Sequence, residues 1–178
     1  MPAPITHALV PGTFDPITNG HIDVVRRACR LFPRVTVAVA ESLGKNGVGT
    51  TFSLDERVRL AREAIAGAGL ADRAGVEPFT GLLVDFAREQ GAGAVVKGLR
   101  AMTDFEYELQ QADLNFRLDD ALESIFVMSS PDYGYLSSSV VRQIASFGGD
   151  VDEFVPPCVA EALRSRFSPG GQRGHARL

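Results

Sequence analysis

The run Ala8-Leu9-Val10-Pro11-Gly12-Thr13-Phe14-Asp15-Pro16-Ile17-Thr18-Asn19-Gly20-His21 decides how this chain folds. His7 to Val10 reads as a short buried strand. Beyond His21, Ile22, Val25, Cys29 and Phe32 recur at helical spacing. Between them stand turn-formers, a hydroxyl and a Gly-His pair. A strand that turns straight into a helix is where open α/β sheets bind phosphates, because the first N–H groups of the helix have no partner inside it. No Gly-Lys-Ser/Thr follows the glycines, so this is not a Walker A loop, and the stretch is not the G-x-G-x-x-G fingerprint either.

Outward from this junction, strand and helix patterns alternate. Val35 to Ala40 is a β-branched apolar run, the mark of a strand buried on both faces. Ser53-Leu54-Asp55-Glu56 is a capping box, and Leu54, Val58, Ala61 and Ile65 form the stripe behind it, stopped by Gly67 and Gly69. Val76 to Phe79 reads as a third strand and Leu82 to Glu89 as a short helix. Ala94 to Lys97 is a fourth strand, ended by Gly98. A second capping box, Thr103 to Glu106, predicts a long helix with Phe105, Leu109, Ala112 and Phe116 facing inward. Ser124 to Met128 is a fifth strand. Ser137-Ser138-Ser139 leads into a helix through Val141 and Ile144, and Pro156-Pro157 opens a last one with Val159, Leu163 and Phe167. This alternation predicts one α/β domain over 1–167: a doubly wound, Rossmann-like, five-stranded parallel sheet with helices on both faces. The Gly- and Arg-rich tail, 168–178, carries no stripe and is expected to be disordered.

Composition sets outer limits. The 178 residues are 45% hydrophobic and 22% charged, enough for one domain with a substantial core. A formal net charge of -4 argues against a nucleic-acid surface, so an anionic substrate needs a local cationic cluster. No apolar stretch reaches membrane-spanning length and no signal peptide opens the chain, so no membrane role is expected. Cys29 and Cys158, the two cysteines, lack metal or redox spacing and read as reduced thiols of a cytoplasmic protein.

In a doubly wound fold ligands sit beyond the carboxyl ends of the strands. The polar candidates fall there. Thr13 to His21 follow the first strand, Ser42, Gly44, Lys45 and Asn46 the second, and Gly81 and Leu82 the third. Lys97, Gly98 and Arg100 close the fourth strand, and Tyr133 to Ser139 follow the fifth. Lys45, Lys97 and Arg100 thus gather at one rim of an acidic chain. Plain structural roles stand beside these readings. Lys97 and Arg100 suit an ion pair, the serine run suits a helix N-cap as well as an anion site, and Tyr133 and Tyr135 suit a core as well as a base-stacking wall. Asp15 and Asp132 have no second ligand at metal spacing, so no protein-built metal site is expected. No G-x-S-x-G elbow is present, which leaves the serines poor nucleophiles.

Taken together, Pro11 to His21, Lys97-Gly98-Leu99-Arg100, Asp104-Phe105-Glu106-Tyr107-Glu108 and Ser137-Ser138-Ser139-Val140-Val141-Arg142 resemble the bacterial phosphopantetheine adenylyltransferases. These belong to the nucleotidyltransferase superfamily with the T-x-x-x-x-G-H type signature. The similarity runs in order from about Ala8 to Phe167. It implies transfer of the adenylyl group of ATP to 4'-phosphopantetheine, yielding dephospho-coenzyme A and pyrophosphate. It also implies a homohexamer. At the matching positions, Thr13 lies between the two substrates. Phe14, His21, Gly98, Leu99, Arg100, Glu108, Tyr133, Gly134, Tyr135, Leu136, Ser137, Ser138 and Ser139 line the ATP site. Lys45, Leu83 and Lys97 face the phosphopantetheine. Lysine stands at 97 where many members carry arginine, which keeps the charge but loses the bidentate fork.

Such a reaction needs little acid–base chemistry. The attacking phosphate, with a second pKa of about 6, is already largely a dianion at neutral pH. His21, Lys45 and Arg100 are therefore expected to act as fixed donors and cations. His21 would serve the α-phosphate, Arg100 and the Ser137–Ser139 helix start the distal phosphates, and Lys45 with Lys97 would offset repulsion between the anions. Mg²⁺ is expected to arrive with ATP. The alternatives are another transferase of the superfamily, for nicotinamide mononucleotide or a cytidylyl donor, and a non-enzymatic nucleotide or coenzyme A sensor.

Overall fold

The computed structural model describes residues 4–41, 49–100 and 102–168, and of 102–104 the backbone alone. Five strands form one parallel sheet: β1 (His7–Gly12), β2 (Arg34–Ala40), β3 (Ala74–Phe79), β4 (Ala94–Leu99) and β5 (Glu123–Met128). Their spatial order is β3-β2-β1-β4-β5. The chain runs outward from β1 to β3, then returns to the other side of β1 for β4 and β5. The reversal puts the topological switch between β1 and β4, where the two outgoing loops part and leave a crevice.

Burial follows the two-residue period of a strand. Ala8 and Val10 of β1, Val35, Val37 and Val39 of β2, and Ala94 and Val96 of β4 enter one core. Leu9, Ala38 and Val95 between them enter a second core on the opposite face. Four helices build the first core: α1 (Asn19–Leu31), α2 (Leu54–Gly67), α5 (Ser138–Ser146) and α6 (Pro157–Phe167). The second is covered by α3 (Leu83–Gln90), through Val84, Phe86 and Ala87, with Leu122 beside them. The stripes of α1, α2 and α6 are buried largely as their spacing predicts, with Val25, Ala61, Ile65, Val159 and Leu163 almost wholly inaccessible. Ser53 caps α2 in the predicted box: its Oγ accepts from Glu56 N, and Glu56 Oε2 accepts from Ser53 N.

Two expectations need correction. β4 does not end at Gly98 but continues to Leu99, paired with Val127 and Met128 of β5. The glycine serves packing rather than termination. A Cβ there would lie 2.6 Å from Val24 Cγ2, so only glycine lets α1 lie this close to β4. The second concerns α4 (Met102–Leu118), whose predicted inward stripe is not covered. Phe105 meets Phe126 edge-on at 6.0 Å, but Leu109 is 40% exposed and Phe116 58%. Leu114 and Leu118 are exposed as well. Beyond Phe105 the apolar residues Leu109, Leu114, Phe116 and Leu118 of the helix are left open among the described residues. The side chains of Thr103 and Asp104, half of the second expected capping box, fall outside the described residues, as do Lys45 and the tail beyond Ser168.

Candidate active site

The loop from β1 to α1 builds the first wall. Thr18 caps α1, and the reciprocal partner at the third helical position is His21, in the place a glutamate or glutamine usually takes. Thr18 N donates to His21 Nδ1 at 3.0 Å. A backbone N–H can only donate, so Nδ1 is an acceptor and the neutral ring carries its proton on Nε2. Burial, and secondarily the positive charge of Arg100, draw the His21 pKa down to about 4. The imidazole is therefore neutral at pH 7 and offers an N–H donor. Phe14 packs edge-on to it with ring centroids 5.0 Å apart. That phenyl ring also lies over Gly12, where an added Cβ would meet it at 3.0 Å.

The second wall comes from β4 and α4. Lys97 Nζ lies 3.1 Å from Glu108 Oε2. The approach is oblique and Oε2 has no aligned hydrogen bond, so charge rather than hydrogen-bond geometry holds the pair. Arg100 leaves the end of β4 and donates to Leu136 O at 3.2 Å. The third wall is the start of α5. Ser137 Oγ accepts from Val140 N, Ser138 Oγ donates to Pro16 O at 2.8 Å, and Arg142 donates to Ser139 Oγ. The N-cap and anion-site readings of the serine run are thus compatible. Ser137 caps the helix through its hydroxyl, and the first helical N–H groups remain without intrahelical partners.

These walls enclose a cavity of about 400 Å³, within the roughly 300–1,000 Å³ of small-molecule sites. Of the sequence candidates, Phe14, His21, Lys97, Gly98, Arg100, Glu108, Tyr133, Leu136 and Ser137 to Ser139 line it. Thr13 does not: it is exposed at the rim, its carbonyl turned to the core, where Arg57 donates to it. Leu99 is buried in β4, and Leu83 packs against the second core at the start of α3. Gly134 and Tyr135 lie outside the lining; Tyr135 is 66% exposed and its ring meets Phe154 instead. Polar side chains of the lining to which the sequence reading gave no individual role are Thr18, Tyr107 and Ser129. Thr18 was detectable in principle from the Thr-x-x-His spacing, had histidine been admitted at the third helical position.

Behind the cavity runs a buried polar network that local sequence does not reveal. The Asp15 carboxylate accepts from Thr51 N at 2.8 Å and Phe52 N at 2.9 Å. Arg142 donates to Asp15 O and lies 3.6 Å from its carboxylate. Among the described residues no group of three or more His, Cys, Asp and Glu converges on a point. Among the described residues no helix is long and apolar enough to cross a membrane.

Comparison with known proteins agrees with this geometry. A family described as cytidylyltransferase-like matches residues 9–144. The chain is 48% identical over 160 residues to a phosphopantetheine adenylyltransferase of Syntrophotalea carbinolica, covering 90% of this chain and 93% of the relative. It is 53% identical over 159 residues to the enzyme of the same name from Thiobacillus denitrificans, covering 89% and 96%. A bifunctional NMN adenylyltransferase/ADP ribose pyrophosphatase from Francisella tularensis superposes with a TM-score of 0.71 at 15% identity, over 94% of this chain and 51% of that one. At that identity the likeness speaks for the fold alone. The parallel sheet, the cavity at its switch point and the extent of the sequence match converge: the chain belongs to the cytidylyltransferase-like family and, within it, to the phosphopantetheine adenylyltransferases.

Proposed function

We propose that the cavity transfers the adenylyl group of ATP to 4'-phosphopantetheine, giving dephospho-coenzyme A and pyrophosphate, the penultimate step of coenzyme A synthesis. A phosphate oxygen of the acceptor forms a bond to the α-phosphorus as the bond from that phosphorus to the bridging oxygen breaks, and pyrophosphate leaves in line. The observation that carries the reading is His21. Its Nδ1 is occupied by the Thr18 N–H and its pKa is about 4, so the ring is set up to donate from Nε2 and not to take a proton. That suits an attacking group which needs no base. A donor aimed at charge that grows on the α-phosphate oxygens lowers the barrier without reorganising.

Arg100 and the free N–H groups at the start of α5 face the distal phosphates. Lys97 separates from Glu108 when a phosphate competes for it, and with Lys45 offsets the repulsion between the two anions. Thr13, at the rim, orients the acceptor. Phe14, Gly98, Leu99, Tyr133, Gly134, Tyr135 and Leu136 shape the nucleotide side, and Leu83 the acceptor side. Magnesium enters with the triphosphate as part of the substrate. The lining supports this, since it offers donors and cations with one carboxylate, Glu108, which is paired to Lys97.

The chain works in the cytoplasm, a reading supported by its free thiols Cys29 and Cys158. It assembles as a homohexamer, supported by the uncovered apolar residues of α4, and sedimentation velocity of Phe116→Glu against the wild type tests that assembly. For the reaction, pyrophosphate release is measured with ATP, magnesium and a panel of acceptors that includes phosphopantetheine and nicotinamide mononucleotide. Turnover with phosphopantetheine is expected. Turnover with another acceptor alone makes the chain a different transferase, and nucleotide binding without pyrophosphate makes it a sensor.

A further inference from the structure

Among the described residues Arg57 is the largest fully buried side chain, 2% exposed, yet no carboxylate among them forms an ion pair with it. A lone buried cation is costly unless its donors are used. Here three of the five N–H groups go to three carbonyls from three separate rim segments. Nη1 donates to Thr13 O at 2.6 Å and to Ala40 O at 2.8 Å, and Nε donates to Phe52 O at 3.2 Å. Thr13 follows β1, Ala40 ends β2, and Phe52 precedes α2. Burial pulls the Arg57 pKa down, while Asp15 and Glu41 pull it back up.

The turn that Arg57 holds is strained. Phe14 has φ +49°, a left-handed conformation that a phenylalanine rarely adopts. Such residues persist where the surroundings over-determine them, and they gather at functional sites. The surroundings here are side chains that grip consecutive parts of the loop. Arg57 takes the Thr13 carbonyl, Arg142 the Asp15 carbonyl and Ser138 the Pro16 carbonyl. Arg57 is the grip from the α2 side, and its other two bonds tie the same turn to the ends of β2 and the crossover. With the Thr13 carbonyl drawn into the core, the Thr13 side chain is left at the rim, and Phe14 is left against Gly12 and beside His21.

We propose that Arg57, which touches no substrate, is a positioning residue for adenylyl transfer: it sets the Thr13–Phe14 turn against the ends of β2 and the start of α2, so that Thr13 and His21 meet the two substrates in register. The proposal rests on the reading of Thr13 given above. A water or an apolar side chain could fill the same space. Only a planar guanidinium spans three carbonyls at fixed angles.

Arg57→Lys keeps the charge and loses the fork. The expected result, on folded protein assayed well below its melting temperature, is a kcat lower by about 10- to 100-fold, as a misplacement near 1 Å produces. The KM for ATP is expected to shift less than about threefold, because the cavity's own cations remain. In a Thr13→Ala background the same substitution is expected to add less than about threefold, because the turn it positions no longer presents the hydroxyl. Wild-type kcat in folded Arg57→Lys overturns the proposal, even if its melting temperature falls, and so does an undiminished further loss over Thr13→Ala. A Thr13→Ala variant with wild-type rate removes the reading of Thr13 instead, and the kcat of Arg57→Lys then decides the proposal alone. Should Arg57→Lys not fold, Arg57→Ala is refolded with sub-denaturing guanidinium. Recovery of kcat that tracks guanidinium and is not reproduced by tetramethylammonium supports the role. Activity independent of guanidinium, or failure to fold with and without it, overturns it.

Discussion

One histidine opens β1 and another lies in the helix that follows it, and both are held neutral by burial first and a nearby arginine second: Arg34 for His7, Arg100 for His21. Their wiring differs. At the amino end, His7 is 4% exposed, and both ring nitrogens are used within the fold. Nδ1 meets Gln90 O at 3.1 Å and Nε2 meets Thr36 Oγ1 at 2.8 Å. A carbonyl can only accept, so His7 carries its proton on Nδ1. At the carboxyl end a backbone N–H occupies Nδ1 of His21, which puts the proton on Nε2. One backbone group at each end selects the tautomer. At the closed end of the sheet the ring is consumed by structure. At the open end half of it is left for a ligand.

The difference breaks most plainly on removal of each ring. His21→Ala is expected to lower kcat by about a hundredfold or more, the cost of one donor to a developing anion, with the far-UV circular dichroism unchanged. A near-wild-type rate in the pyrophosphate assay would end the case for an electrostatic donor. His7→Ala is expected to do the reverse. It leaves the Thr36 hydroxyl and the Gln90 carbonyl short of a partner, so urea unfolding should show a loss of about 1–3 kcal/mol. Its kcat should stay at the wild-type value, and a matching fall in kcat would deny that the two ends are separate.

Acid sharpens the comparison further. Both folded-state pKa values lie below the unfolded imidazole value of about 6.5. Below that pH the unfolded chain binds more protons, so the histidine contribution is fully present above about pH 6.5. It is lost as pH falls toward the folded values, about 4 for His21. Unfolding free energies measured from pH 7.5 down to 4.5 should decline, and His7→Ala should flatten the slope. An unchanged slope in that variant would remove His7 from the account. The smallest effect is expected at Lys97→Arg, which keeps the cation beside Glu108 and gains a fork: kcat/KM within about fivefold of wild type. A larger loss would mean that the compact ammonium is itself required there.

Much of the architecture was legible because its rules are local. The alternation of Val35, Val37 and Val39 with Thr36 and Ala38 states that two faces exist, and both are buried. Ser53 and Glu56 announce the start of α2, and Ile22, Val25 and Cys29 the buried side of α1. The same reasoning misjudged α4. Phe105, Leu109, Ala112 and Phe116 show the same kind of periodicity, yet periodicity says that a face is apolar and not what lies over it. The cavity was half legible. His21, Lys97, Arg100 and the serine run sit at strand ends, where a doubly wound sheet opens, and they line the cavity together. Leu83 and Tyr135 sit at loop ends too, but α3 turns the first toward the second core and Phe154 draws the second away.

Arg57 marks the limit most clearly. Between Glu56 and Val58 it reads as one more charge on the wet side of a helix, yet among the described residues it is the largest of the fully buried side chains. Its partners are the backbone carbonyls of residues 5, 17 and 44 positions away, which no residue-type pattern encodes. Strand, helix, cap and turn depend on neighbours within a few residues, so the amino-acid order alone settles them, and with them the sheet class and the phosphate-type junction at Pro11 to His21. Which ring nitrogen carries a proton, which lysine faces a carboxylate and which arginine is buried depend on groups that meet only when distant segments close. Those contacts, and the cavity they enclose, follow from packing.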